Sequence, residues 1–100
     1  MKSKLFHIRC TIERGGFSSE RTFEVRTSDG GKLVGTADIQ HLCDENQEPL
    51  GDDEPPCGVV ISGYVKCRLI RQGDNQTVLV DLPSDDVIYV RAGELLECAH

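Results

Sequence analysis

Histidine and cysteine are the side chains best suited to chemistry in this chain, and they lie close together three times: His7-x-x-Cys10, His41-x-Cys43 and Cys98-x-His100. Imidazole and thiolate are the ligands that zinc and softer metals prefer. The spacing argues against a site. His7 and Cys10 are an odd number of residues apart, so in a strand they point to opposite faces. Cys10 shares its parity with Phe6 and Ile8, and Cys67 with Val65 and Leu69. Both are expected to be buried as small hydrophobes. The remaining cluster, His41 and Cys43 with Cys98 and His100, falls at two turns that need not meet. No metal and no cofactor is expected.

Nucleophilic catalysis needs a thiol or hydroxyl beside a base, with a third group to orient it. Cys57, after Pro55-Pro56, is the thiol expected to be most exposed, and nothing near it in sequence lowers its pKa. The chain has no phosphate-cradling glycine loop, no nucleophile elbow and no HExxH motif. The expectation is a non-enzyme, with a thiol or metal-binding protein as one alternative.

The carboxylates are distributed unevenly. The chain has 17 acids, 11 bases and a net charge of −6. Residues 44–54 hold six acids, Asp44, Glu45, Glu48, Asp52, Asp53 and Glu54, and no base. The rest of the chain is balanced, so this segment carries the whole net charge. Pro49, Gly51, Pro55 and Pro56 disfavour helix and strand there, and residues 44–56 are expected to be an exposed, extended loop. Such a loop is either a solvated linker or a docking surface for a basic partner. The spacing and glycine of a calcium-binding EF-hand loop are absent.

The bases suggest another surface. Arg9, Lys66 and Arg68 fall on outward strand faces, with Arg14 and Arg71 near strand ends. With Tyr64 among them they could form a basic, aromatic stripe for single-stranded nucleic acid. The competing expectation is cross-strand pairing with Glu13, Glu20, Glu24 and Asp81. The net charge makes nucleic acid an improbable partner.

These groups need elements to position them. Phe6, Ile8, Cys10 and Ile12 alternate with His7, Arg9, Thr11 and Glu13, as a strand with one buried face requires. Thr22–Arg26 alternates with Phe23 and Val25 inward. Ser28-Asp29-Gly30-Gly31 signals a tight hairpin turn, and Lys32–Ala37 follows as a short strand. Asp38–Cys43 suits one helical turn capped by Asp38. Gly58–Arg71 is β-rich, with a bend or bulge expected at Gly63. Gln76–Leu82 and Val87–Arg91 are two further strands, and Gly93–Cys98 a last turn. No helix of ordinary length is predicted. The longest apolar run is Val59–Ile61, far too short to span a membrane as a helix. The start of the chain lacks the apolar stretch of a secretory signal. Five cysteines, an odd number without a CxxC pair, suit reduced thiols in a cytoplasmic protein.

Residues 5–43 and 58–98 echo each other across the 44–57 linker. His7–Ile12 aligns with Tyr64–Leu69, so that Cys10 meets Cys67. Thr22–Val25 aligns with Thr77–Val80, Ala37 with Ala92 and Cys43 with Cys98. Two such units would expose apolar faces and strand edges unless they packed together. The expected fold is all-β: one domain over residues 1–100, a six- to seven-stranded barrel or sandwich of SH3-like size with two pseudo-symmetric halves. The expected function is that of a small protein-interaction module, binding another protein through the acidic loop or an edge strand. A nucleic-acid-binding barrel using Arg9, Tyr64, Lys66 and Arg68 is the alternative. Edge protection by self-pairing would make a homodimer.

Overall fold

The computed structural model describes residues 5–98. They form eight antiparallel strands: β1 (Leu5–Arg14), β2 (Glu20–Arg26), β3 (Lys32–Asp38), β4 (Leu42–Asp44), β5 (Ile61–Gln72), β6 (Thr77–Asp81), β7 (Val87–Arg91) and β8 (Leu95–Glu97). The fold is all-β, as expected, with two more short strands than six. The extra strands are β4 and β8, three residues each. Each follows a three-residue 3-10 turn, Ile39–His41 or Ala92–Glu94. Asp38 caps the first of these turns, accepting from the Gln40 amide at 3.0 Å.

The sheet runs β3-β2-β1-β5-β6-β7 and curls into a half-barrel. Its two long strands, β1 and β5, lie side by side in the middle. Each shares its other flank between two shorter strands. β1 pairs with β8 at Phe6–Ile8 and with β2 at Thr11–Arg14. β5 pairs with β4 at Gly63–Val65 and with β6 from Arg68 onward. The arrangement is symmetric about the Ile8–Val65 pair. Leu42 stands opposite Val65 as Leu95 stands opposite Ile8. Cys43 therefore corresponds in space to Leu96. This corrects the alignment of Cys43 with Cys98, because the chain reaches β8 by a path two residues shorter than that alignment supposes.

The concave face holds the core. Ile8, Cys10, Ile12, Phe23, Val25, Val65, Cys67, Val78, Val80, Leu82 and Val90 are all buried there. These are the inward residues of the alternating patterns, and each large aliphatic side chain contributes about 1.5–3 kcal/mol by leaving water. The ends of the curl meet at two hairpin tips. The Ser28 amide donates to the Tyr89 carbonyl of β7 at 2.9 Å. Ser84, at the β6–β7 tip, lies over Gly35 of β3, where a side chain would otherwise stand.

Of the bend or bulge expected at Gly63, no bulge lies there. The bulge in β5 lies between Leu69 and Arg71. Gly63 is instead a point of close approach: a Cβ there would stand 2.3 Å from the Cys43 carbonyl oxygen and 2.7 Å from Ile12 Cδ1. Only glycine lets β4 lie against β5 at this point.

Candidate docking surface

The acid-rich segment is not the extended linker its composition suggests. It begins as a tight turn. The Asp44 amide donates to the Glu48 carbonyl at 2.8 Å, and the Gln47 amide to the Asp44 carbonyl at 2.9 Å. Gln47 is left-handed, with φ 63. The Asp44 carboxylate accepts from the Asn46 and Glu48 amides at 2.9 and 3.0 Å. Asp44 is thus spent inside the turn, the usual role of an Asx side chain. Pro49 comes back beside Cys43 as a β-bridge, and Leu50 packs on the core.

The far end is tied down by two arginines. Arg14 Nε donates to Glu54 Oε2 at 3.0 Å in a partly exposed ion pair. Arg21 is 1% exposed. It shares its parity with Phe23 and Val25 and so points inward from β2. Its Nη1 donates to the Ser18 and Glu20 carbonyls at 2.8 and 2.9 Å, and its Nη2 to the Asp53 carbonyl at 3.4 Å. A buried guanidinium needs such acceptors. The interior cation therefore holds the main chain of an acidic loop through its carbonyl, leaving the carboxylate outside. Glu45, Glu48, Asp52 and Asp53 remain exposed.

The turn also covers one polar face of the sheet. His7 points away from the core yet is 3% exposed. Its Nδ1 lies 2.7 Å from Gln47 Oε1, within hydrogen-bond distance. Cys43 Sγ lies 3.7 Å from His7 Nε2 and 4.0 Å from Nδ1. The thiol also lies 3.8 Å from the Tyr64 carbonyl, toward which it can donate. Burial and then the Asp44 carboxylate push Cys43 up to about 11, with Lys66 opposing them. So high a value keeps the thiol protonated, and the thiolate is the form a nucleophile needs. A cleft of about 180 Å³ beside it is lined by His7, Gln40, Leu42, Gln47, Pro49 and Lys66.

The residues of the alternative basic face come together only in part. Arg9 stands opposite Tyr64, and His7 opposite Lys66. Arg9 Nη2 donates to Tyr64 Oη at 3.1 Å, and the guanidinium carbon lies 5.4 Å from the ring centroid. Tyr64 is 6% exposed. It offers no open ring for a base to stack on, which single-strand recognition requires. Arg68 stands opposite Asp81 in the β5–β6 register. Lys32 pairs with Glu24 at 3.6 Å. Of the bases on this face, Arg68 stands opposite an acid, Arg9 opposite Tyr64 and Lys66 opposite His7.

The five cysteines are free. Cys10, Cys43 and Cys67 are buried, Cys98 is half-buried and Cys57 is exposed. Burial pushes Cys10 and Cys67 up to about 12. Among the described residues no three His, Cys, Asp or Glu side chains converge as metal ligands. His100, part of one motif above, lies outside the described residues. No described helix is long and apolar enough to cross a membrane.

The chain matches no protein-family model, no curated protein and no solved structure.

Sequence reasoning missed Arg21, and it placed His7 on an outward face without foreseeing its burial. Arg21 carried a signal, its parity with Phe23 and Val25. The burial of His7 depends on a turn that returns from forty residues away in the chain, and no local pattern announces that.

Proposed function

We propose that the protein is an interaction module that receives a basic protein partner on the acid-rich segment between β4 and β5. The observation that carries this reading is the anchoring of that segment by the buried Arg21, together with the Asp44 turn, the Gln47–His7 bond and the Arg14–Glu54 pair. A solvated linker has no need of an interior arginine. A docking surface gains from one, because a segment already ordered loses less entropy on binding. The carboxylates of Glu45, Glu48, Asp52 and Asp53 take no part in these anchors and are exposed. Their shared sign would steer a lysine- or arginine-rich surface toward them and repel nucleic acid. Five free thiols suit the reducing cytoplasm, where such a module would work without catalysing a reaction.

The test uses a variant with Glu45→Gln, Glu48→Gln, Asp52→Asn and Asp53→Asn. Asp44 and Glu54 are kept because the segment's shape depends on them. Wild type and variant are compared against an array of lysine- and arginine-rich peptides and as baits in lysate. The expected result is a set of basic ligands, and a protein containing such a sequence, held by wild type and released by the variant. Identical capture by both baits, or capture by neither, would overturn the proposal.

A further inference from the structure

We infer that β3 is a self-complementary edge at which two copies of the chain pair. No described strand pairs with its outer side, since β3 ends the sheet order. The other end, β7, is partly occupied by the Ser28 amide on the Tyr89 carbonyl. On β3, Lys32, Thr36 and Asp38 are exposed, and Val34 is 60% exposed.

The direction of the free peptide groups follows from the hairpin. The Thr27 amide donates to the Gly31 carbonyl. Hydrogen-bonded rungs in an antiparallel ladder recur every second residue. The rungs Val25–Leu33, Phe23–Gly35 and Arg21–Ala37 are therefore the bonded ones toward β2. Lys32, Val34, Thr36 and Asp38 turn their N–H and C=O groups to the open side.

A twofold axis at Gly35 gives an antiparallel pairing of β3 with itself. Lys32 then faces Asp38 of the second copy, Val34 faces Thr36, and Leu33 faces Ala37. Each relation occurs twice, as an isologous interface demands. The facing pairs Lys32–Asp38 and Val34–Thr36 are those whose peptide groups are free. Shifting the register by two residues in either direction loses the charge match. A lysine on an edge ordinarily guards it against stray strands. Here the guard has a partner of opposite charge at the mirror position. Gly35, at the axis, adds no side chain to the crossing.

The experiment is sedimentation equilibrium on the full chain over a concentration range up to about a millimolar. The wild type is expected to shift from 11.0 kDa toward twice that mass. Lys32→Glu puts two like-charge pairs across the axis, as does Asp38→Lys. Each alone is expected to weaken association by roughly tenfold. Mixed one to one, the two variants restore opposite charges at every facing position, and association should return as a heterodimer. Circular dichroism checks that both variants stay folded, since Asp38 also caps a turn. Thr36→Pro supplies an independent check: it removes an outward N–H that only the second copy would use. A wild type monomeric throughout, a dimer indifferent to these changes, or a mixture that fails to associate would each overturn the inference.

Discussion

Arg21 is the largest side chain fully buried among the described residues, and it is charged. Its guanidinium holds three backbone carbonyls from two separate segments. Truncation to alanine would leave those acceptors unpaired and open a cavity. A loss of about 2–4 kcal/mol is expected in urea denaturation. Amide exchange should accelerate around Asp53 beyond what the loss of global stability explains. The buried thiols make a second prediction at this scale. Cys10 and Cys67 stay protonated in the folded protein up to about 12, while the ordinary value is 9.0. Above about pH 9 the unfolded chain releases thiol protons that the folded chain retains. The unfolded state then binds fewer protons, so stability falls as pH rises from 9 toward 12. The urea midpoint should show this decline, with a shallower slope in a Cys10→Ala/Cys67→Ala variant. Cys57 should react first with a thiol reagent under native conditions.

At the scale of elements, the glycine at β5 position 63 decides whether β4 can pair. Gly63→Ala would drive a Cβ into the Cys43 carbonyl. The expected outcome is a strained or detached β4, a cost of about 2 kcal/mol or more, and exposure of Cys43 to thiol reagents. Thiol labelling against urea concentration would check both. The elements also show what the sequence could and could not disclose. The faces of β1 and β2 were legible because each alternates over five or more residues against a single core. Asp38 was legible as a cap because its chemistry is local. β4 and β8 were not, since three residues carry no periodicity. They are strands because β2 and β6 leave part of one flank of β1 and of β5 open to them. The exposure of the acid-rich segment was legible, while its opening turn and its anchors were not, for a related reason. Composition reports solvation, and this segment is solvated on its carboxylates while its main chain is bound from within.

For the whole molecule, the same lesson limits the candidate site. Glu45, Glu48, Asp52 and Asp53 were legible as a charged group. Their separation from Asp44 and Glu54, which serve the fold, was not. The basic face loses its aromatic at this scale, because Tyr64 is buried under Arg9 and offers no open ring. What remains is a half-barrel with one acidic ridge between its halves and one bare edge at β3.

The interleaving of the halves has a consequence for chain order. Phe6 and Glu97 stand opposite each other on paired strands, so the two ends of the described chain are neighbours. Joining them through a short flexible linker and opening the chain near Gly51 would yield the order β5-β6-β7-β8-β1-β2-β3-β4. The symmetry about Ile8 and Val65 means that this circular permutant meets the same partners in the same roles. It should fold, with a urea transition like that of the parent, unless the anchored acid-rich segment is itself needed to bring the halves together. Circular dichroism on the permutant would separate those cases, and would show whether this fold is specified by the order of its strands or only by their mutual pairing.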